Sequence, residues 1–125
     1  MPFIKLAKEQ GREDIVEVFD RIPRRGARNF REACQSFWFV QMLLQIESSG
    51  HSISPGRFDQ YMYPYYKKDL DAGIITREFA QELMDCIWIK LNDLNKCRDA
   101  ASAEGFAGYS LFQNLIAGGQ NKDGI

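Results

Sequence analysis

Residues 37–46 constrain the fold of this chain more than any other segment. Their sequence, FWFVQMLLQI, is apolar at every position except Gln41 and Gln45, so a helix built from it has an apolar surface on all sides. Burying each large side chain of such a helix contributes roughly 1.5–3 kcal/mol, and a chain of 125 residues can hardly surround all of them. We therefore expect this helix to lie inside a larger body, and we expect the chain on its own to self-associate through it.

Helical periodicity predicts where this apolar helix and a preceding amphipathic helix begin and end. Asn29 can cap the apolar helix while Glu32, three residues later, reaches back toward the cap. Pro23 ends the preceding helix because it cannot continue the hydrogen-bond ladder. The apolar face of that preceding helix repeats at helical spacing: Ile15, Val18, Phe19 and Ile22.

Two more helices are predicted in the second half of the chain. Ser54 and Pro55 are typical of a helix start, and Pro64 should kink or end that helix. Gly73 is suited to a left-handed C-terminal position, and Thr76 can cap the next helix. The core-facing side of this last helix is predicted to comprise the following residues: Phe79, Leu83, Cys86, Ile87, Lys90, Leu91 and Leu94.

The sequence changes character after Cys97. Residues 109–116 are apolar-rich and bounded by glycines at 108, 118 and 119, which is typical of a buried strand. The chain is therefore predicted to be mainly helical, with one strand near its C-terminus. We expect residues 1–125 to form one partial domain, since the sequence stops without a closing element.

Charge and cysteine content exclude several function classes. A net charge of −1 and a pI near 5.8 give no basis for binding nucleic acid or an anionic membrane, which requires clustered Lys and Arg. No apolar run approaches the roughly 18 residues of a membrane span, and we expect a cytoplasmic protein. Three cysteines without CxxC spacing predict neither a zinc site nor a disulfide; we expect them to be small core residues.

The candidate site lies in residues 44–71, where Gly50, His51 and Ser52 follow the apolar helix. A neutral imidazole can exchange a proton near pH 7, as loss of a hydroxyl group as water requires. Ser52 is interpreted as a hydrogen-bonding group, because no GxSxG nucleophile motif is present. The alternative is that both are turn residues. Further along, Tyr109 can present its ring to a ligand at the end of the predicted strand, or pack in the core.

Arg57 and Asp59 flank Phe58 two residues apart, on different faces of a helix. We expect them to form structural salt links and to take no part in catalysis.

Three segments of the sequence, GHSIS, GRFDQYMYP and GFAGYSLFQNL, resemble segments of the large subunit of glycyl radical enzymes. The resemblance is to the dehydratase and lyase branch called pyruvate formate-lyase-like. The resemblance covers most of the chain. It implies a helical segment of a ten-stranded α/β barrel, in which His51 and Ser52 contact the hydroxyl groups of a small hydroxylated substrate and Tyr109 closes the pocket. It also implies a separate activating enzyme that uses S-adenosylmethionine to install the radical.

The two radical-bearing motifs of that family do not occur in this sequence. No cysteine stands in a Gly-Cys-Val-Glu word, and Phe106 and Ala107 precede Gly108 where the glycyl loop has Arg-Val. We therefore expect this segment to bind no cofactor, to contain no catalytic radical residue and to be inactive by itself.

The resemblance implies dehydration of glycerol or propane-1,2-diol. The alternatives within the family are cleavage of choline, dehydration of hydroxyproline, and acyl transfer between pyruvate and coenzyme A (formate acetyltransferase chemistry). An alternative from another class is a non-catalytic helical interaction module, which the apolar helix would suit because it demands a partner surface.

Overall fold

The computed structural model describes residues 2–47, 53–93, 99–106, 115 and 117–119. Within these ranges the chain is mainly helical and contains no strand. The six helices have the following bounds: α1 Pro2–Glu9, α2 Glu13–Arg21, α3 Phe30–Glu47, α4 Phe58–Asp71, α5 Arg77–Asn92 and α6 Ala100–Phe106. The predicted strand at residues 109–116 lies outside the described residues except for Leu115.

Helix α3 is the centre of the fold. Helices α4 and α5 pack against it, whereas α1 and α2 pack against each other. The ring of Phe58 joins the three central helices, since it stacks edge-on against Phe37 at 4.8 Å and lies 6.1 Å from Trp88 between ring centroids. The core at this junction comprises these buried residues: Phe30, Ala33, Cys34, Phe58, Met62, Ile75, Ala80 and Ile87.

The predicted caps from Asn29 and Thr76 are present, but Glu32 reaches back to the Arg28 amide, one residue before the cap. The side-chain oxygen of Asn29 accepts a hydrogen bond from the Glu32 amide at 2.8 Å, at the start of α3. Thr76 Oγ1 accepts from the Phe79 amide at 3.1 Å, at the start of α5. Gly73 adopts φ +66°, the left-handed conformation expected after α4.

A buried carboxylate connects the end of α4 to the start of α3. Asp69 is 1% exposed, and its Oδ2 accepts a hydrogen bond from the Phe30 amide at 2.6 Å. The neighbouring Lys68 Nζ donates to the Arg28 carbonyl at 3.0 Å. The free amides of a helix N-terminus favour a negative group, so this carboxylate both satisfies α3 and fixes its position against α4.

A second buried carboxylate joins α3 to α2. Glu32 is 1% exposed; it accepts hydrogen bonds from the Arg28 amide at 2.7 Å and from the Arg28 guanidinium. Arg21 Nε at the end of α2 lies 3.6 Å from the same carboxylate. Burial raises the pKa of Glu32, but the hydrogen bonds from Arg28 oppose it, and the net effect is a pKa below the usual value.

The predicted start of α4 is wrong, and of the two outcomes expected at Pro64, a kink or an end, the helix end does not occur. Ser54 and Pro55 precede the helix, which begins at Phe58, because Gly56 at φ +69° turns the chain between them. Pro64 does not end the helix, which continues to Asp71. The missing donor of an internal proline costs about 3 kcal/mol or more, and the buried contacts of α4 on both sides of the proline offset it.

The predicted face of α5 is rotated. Ala80 and Ile87 are buried, and Leu83, Met84 and Leu91 pack against the core, whereas Phe79, Cys86 and Lys90 are exposed. Cys86 is therefore not a core residue, unlike Cys34. Several sets of apolar residues in this sequence repeat at helical spacing, so the sequence alone could not decide among them. Packing against α3 selects the set that is buried. Helices α1 and α6 were not predicted at all, since both are short and lack a marked start signal.

Helix α3 buries its two glutamines and exposes much of its apolar surface. Gln41 and Gln45 are 3% and 6% exposed, whereas the exposed large apolar residues of this helix range from 44% to 69%: Val40, Leu43, Leu44 and Ile46. The prediction that this chain cannot surround its apolar helix is confirmed. An apolar face of this extent is typical of an interface.

Glu32→Gln tests the buried carboxylate. Glutamine keeps the shape but loses the charge that Arg28 and Arg21 contact, so the free energy of unfolding at neutral pH should fall by roughly 1–3 kcal/mol. Because the folded pKa of Glu32 is lowered, this contribution is present above the unfolded value of about 4.5 and is lost as the pH falls through the folded value. Urea unfolding of both proteins at neutral and acidic pH should show the difference shrinking.

Glu17→Gln is the matched control. Glu17 contacts the same guanidinium of Arg28 at 2.8 Å, but its side chain is 71% exposed, and an exposed pair contributes about 0–1 kcal/mol. Equal losses in the two variants, or a Glu32→Gln loss that persists unchanged into acid, would contradict the role of the buried carboxylate.

Candidate functional site

The three residues predicted to contact substrate, His51, Ser52 and Tyr109, lie outside the described residues. Their positions stay predictions. The structure does describe the chain on either side of them: the end of α3, the turn at residues 53–57, and Leu115 with residues 117–119. The segments at residues 53–57 and 117–119 are each held to a helix by hydrogen bonds.

Helix α3 holds the carbonyl that follows Ser52 in sequence. Gln41 Nε2 donates a hydrogen bond to the backbone oxygen of Ile53 at 2.8 Å, and the Gln41 side chain is buried. An amide removed from water in this way requires a partner. The sequence signal for this contact was that Gln41 and Gln45 interrupt the apolar pattern of α3. The sequence did not reveal which backbone group would accept the hydrogen bond.

Helix α4 holds the same turn two residues further on. The Tyr61 hydroxyl donates to the Pro55 carbonyl at 2.9 Å. Burial raises the pKa of Tyr61, so the phenol stays protonated and remains a donor at neutral pH.

Asp59 joins the C-terminal segment to the first turn of α4. Its Oδ1 accepts from the Gln60 amide at 2.9 Å, and its Oδ2 accepts from the Gly118 amide at 2.8 Å. Among the described residues the predicted salt links are absent: Asp59 binds backbone amides, and Arg57 donates to Gln60 at 3.4 Å. A carboxylate in the first turn of a helix also complements the helix dipole. The segments that flank His51 and Tyr109 in sequence therefore both attach to one end of α4.

A cavity of about 360 Å³ lies beside this end of α4. Its wall is mostly apolar, with Asp59 and Arg77 as its charged members, and Leu115 and Ala117 close it on the C-terminal side. The aromatic part of the wall consists of Phe30, Phe58, Tyr63, Tyr66 and Trp88.

A second cavity, of about 420 Å³, lies between α2, α3 and α5, and Cys34 and Cys86 both contribute to its wall. Burial raises the pKa of Cys34 to about 12, so this thiol stays protonated at neutral pH and is a poor nucleophile. Within the described ranges, no group of histidine, cysteine and carboxylate residues could hold a metal ion. Among the helices that the structure describes, none is long and apolar enough to cross a membrane.

Comparison with known proteins covers nearly the whole chain. The pyruvate formate lyase-like family matches residues 7–125. The probable dehydratase YbiW of Escherichia coli is 41% identical over 118 residues, which is 91% of this chain and 15% of that protein. The chain thus spans about 15% of the length of a curated relative that it matches.

Two solved structures share the fold of this chain. A structure solved for 1,2-propanediol dehydration in Roseburia inulinivorans is 72% identical, with a TM-score of 0.83, over 94% of this chain and 15% of that one. A glycyl radical enzyme from Archaeoglobus fulgidus is 34% identical, with a TM-score of 0.85, over 98% of this chain and 17% of that one. The predicted fold, a helical portion of such an enzyme, is confirmed. The chain belongs to the pyruvate formate lyase-like family of glycyl radical enzymes.

Proposed function

We propose that this chain is a segment of a glycyl radical dehydratase that acts on a small vicinal diol, with propane-1,2-diol as the first candidate and glycerol as the second. The observation that carries the proposal is the 72% identity, over 94% of the chain, with the structure solved for 1,2-propanediol dehydration. A separate activating enzyme would install the radical, and no residue of this chain is proposed to hold it.

The proposed reaction balances without an external oxidant. Propane-1,2-diol becomes propanal and water: the C–O bond at C2 breaks, C1 becomes the carbonyl carbon and its hydroxyl loses a proton, and the departing hydroxyl group takes up a proton. The radical group, which this chain does not contain, would supply abstraction of a hydrogen atom from C1 and its return to C2. The residues of this chain would bind the two hydroxyl groups and handle the proton.

His51 and Ser52 are proposed to contact the substrate hydroxyls, with Tyr109 closing the pocket. A histidine suits proton transfer to a leaving hydroxyl near neutral pH, and a serine hydroxyl can both donate and accept. Pro55 and Gly118 both attach to the first turn of α4, which supports a common pocket for the two segments.

His51→Ala, made in the full-length enzyme, tests the assignment. Removing a buried polar partner of the substrate should cost about 1–3 kcal/mol of transition-state binding, more where charge develops. The expected fall in kcat/KM for propane-1,2-diol is roughly ten- to several-hundred-fold. The glycyl radical yield, measured by electron paramagnetic resonance, should not change. Tyr109→Phe should lose less activity than Tyr109→Ala, because the shape of the ring is proposed to matter more than its hydroxyl.

Unchanged diol turnover in His51→Ala, with the fold intact by circular dichroism, would make His51 a structural turn residue and remove the diol assignment. Turnover of glycerol, choline or hydroxyproline in preference to propane-1,2-diol would redirect the substrate proposal and leave the radical class in place.

The 125-residue chain by itself is proposed to be catalytically inactive, because its sequence contains neither the Gly-Cys-Val-Glu word nor the glycyl loop. We expect no radical signal when the chain is incubated anaerobically with an activating enzyme, S-adenosylmethionine and a reductant. The measurement is electron paramagnetic resonance, with a complete glycyl radical enzyme as the positive control. A glycyl doublet on this chain would refute the proposal.

The isolated chain is also proposed to self-associate through the exposed apolar residues of α3. Burying four such side chains against a second copy is favourable by roughly 1.5–3 kcal/mol for each one that becomes fully covered. Sedimentation velocity at micromolar concentration should show dimers or larger species, and Leu43→Lys with Ile46→Lys should return the chain to a monomer. A stable monomer of the unmodified chain would contradict the proposal.

A further inference from the structure

We propose that Gln41 is a positioning residue for residues 53–55, the stretch that follows His51 and Ser52 in sequence, and that Tyr61 assists it. The inference rests on the proposed function, since it assigns to the same site the residues that hold its backbone. Neither residue is proposed to touch substrate. Each acts through a carbonyl group of the turn.

The Gln41 bond lies directly beside the proposed substrate-binding residues in sequence. Its acceptor is the Ile53 carbonyl, at 2.8 Å, and Ile53 follows Ser52. The donor belongs to a side chain that is 97% buried, on the inner face of the central helix. A buried side chain has little freedom, and a hydrogen bond that it alone can satisfy fixes the position of the acceptor.

Gln45 shows that burial on α3 does not by itself create such a bond. It lies one helical turn after Gln41 and is nearly as buried, yet neither its Nε2 nor its Oε1 has a hydrogen-bond partner in the described part of the chain. The two glutamines therefore share residue type, helix and burial, and differ in the contact to the turn.

Tyr61 supplies a second, independent attachment. Its hydroxyl holds the Pro55 carbonyl from α4, two residues beyond the carbonyl that α3 holds. The two helices are themselves in contact through Phe37 and Phe58. The turn after Ser52 is thus fixed to two helices that cannot shift independently, which is the arrangement that accurate placement of catalytic groups requires.

Gln41→Met and Gln45→Met, made in the full-length enzyme, form a matched pair. Methionine is close in size to glutamine and lacks the donor. Gln41→Met should lower kcat/KM for propane-1,2-diol by roughly ten- to a hundred-fold, with an unchanged radical yield, whereas Gln45→Met should stay within about threefold of the unmodified enzyme. Tyr61→Phe should lower kcat/KM by roughly two- to tenfold. Tyr63→Phe should lower it less, because the Tyr63 hydroxyl makes no hydrogen bond among the described residues.

Hydrogen exchange provides a readout that does not depend on activity. In Gln41→Met, amides in a peptide covering residues 48–56 should exchange about tenfold faster than in Gln45→Met, while exchange within α5 is the same in both. Equal exchange rates in the two variants would overturn the positioning role, regardless of the activity measured with any substrate. Faster exchange in Gln41→Met together with full activity in His51→Ala would mean that Gln41 orders the turn but that the proposed function is wrong, and the positioning role in catalysis would fall with it.

Discussion

The hydrogen bond between Asp69 and the first amide of α3 is the constraint on which the alignment of α3 with α4 depends. It joins the last turn of α4 to the first turn of α3, so the two helices run in opposite directions from a shared end. Eleven residues separate Phe30 from Gln41, and eleven separate Phe58 from Asp69. Each stretch rises about 16 Å as an α-helix. The far end of this pair therefore places Gln41 beside the start of α4, where Gln41 and Tyr61 reach one turn from two sides.

The same end of α3 also carries the charge network to α2. The Glu32 carboxylate contacts Arg28, which lies just before α3, and Arg21, which ends α2. Two buried carboxylates, Asp69 and Glu32, therefore hold α2, α3 and α4 against one another. Both accept from backbone amides at or just before the start of α3. A buried charge is tolerated when it is paired and hydrogen-bonded. The Oδ1 atom of Asp69 is the exception in this network, since it has no hydrogen-bond partner in the described ranges.

Local signals in the sequence predicted the helix starts well where the side chain itself makes the bond. Asn29 and Thr76 cap α3 and α5 as expected, because a cap is decided within four residues. The start of α4 and the face of α5 were predicted wrongly: Gly56 turns the chain before α4 begins, and packing selects one of several apolar stripes of α5. Pro64, where a kink or an end was expected, does not end α4, because buried contacts on both sides of it keep the helix continuous. The role of Gln41 could not be predicted, since its partner is a carbonyl twelve residues away. The family words around His51, Ser52 and Tyr109 predicted the family correctly, while the positions of these three residues stay predictions.

The proline within α4 has a mechanical consequence. Pro64 cannot donate to the Gln60 carbonyl, and both residues are exposed, so water can take the missing bond without leaving a buried orphan. Kinks in helices occur at prolines, so any bend of α4 is expected at Pro64. This point lies between the turn whose Tyr61 contacts Pro55 and the turn whose Asp69 contacts α3.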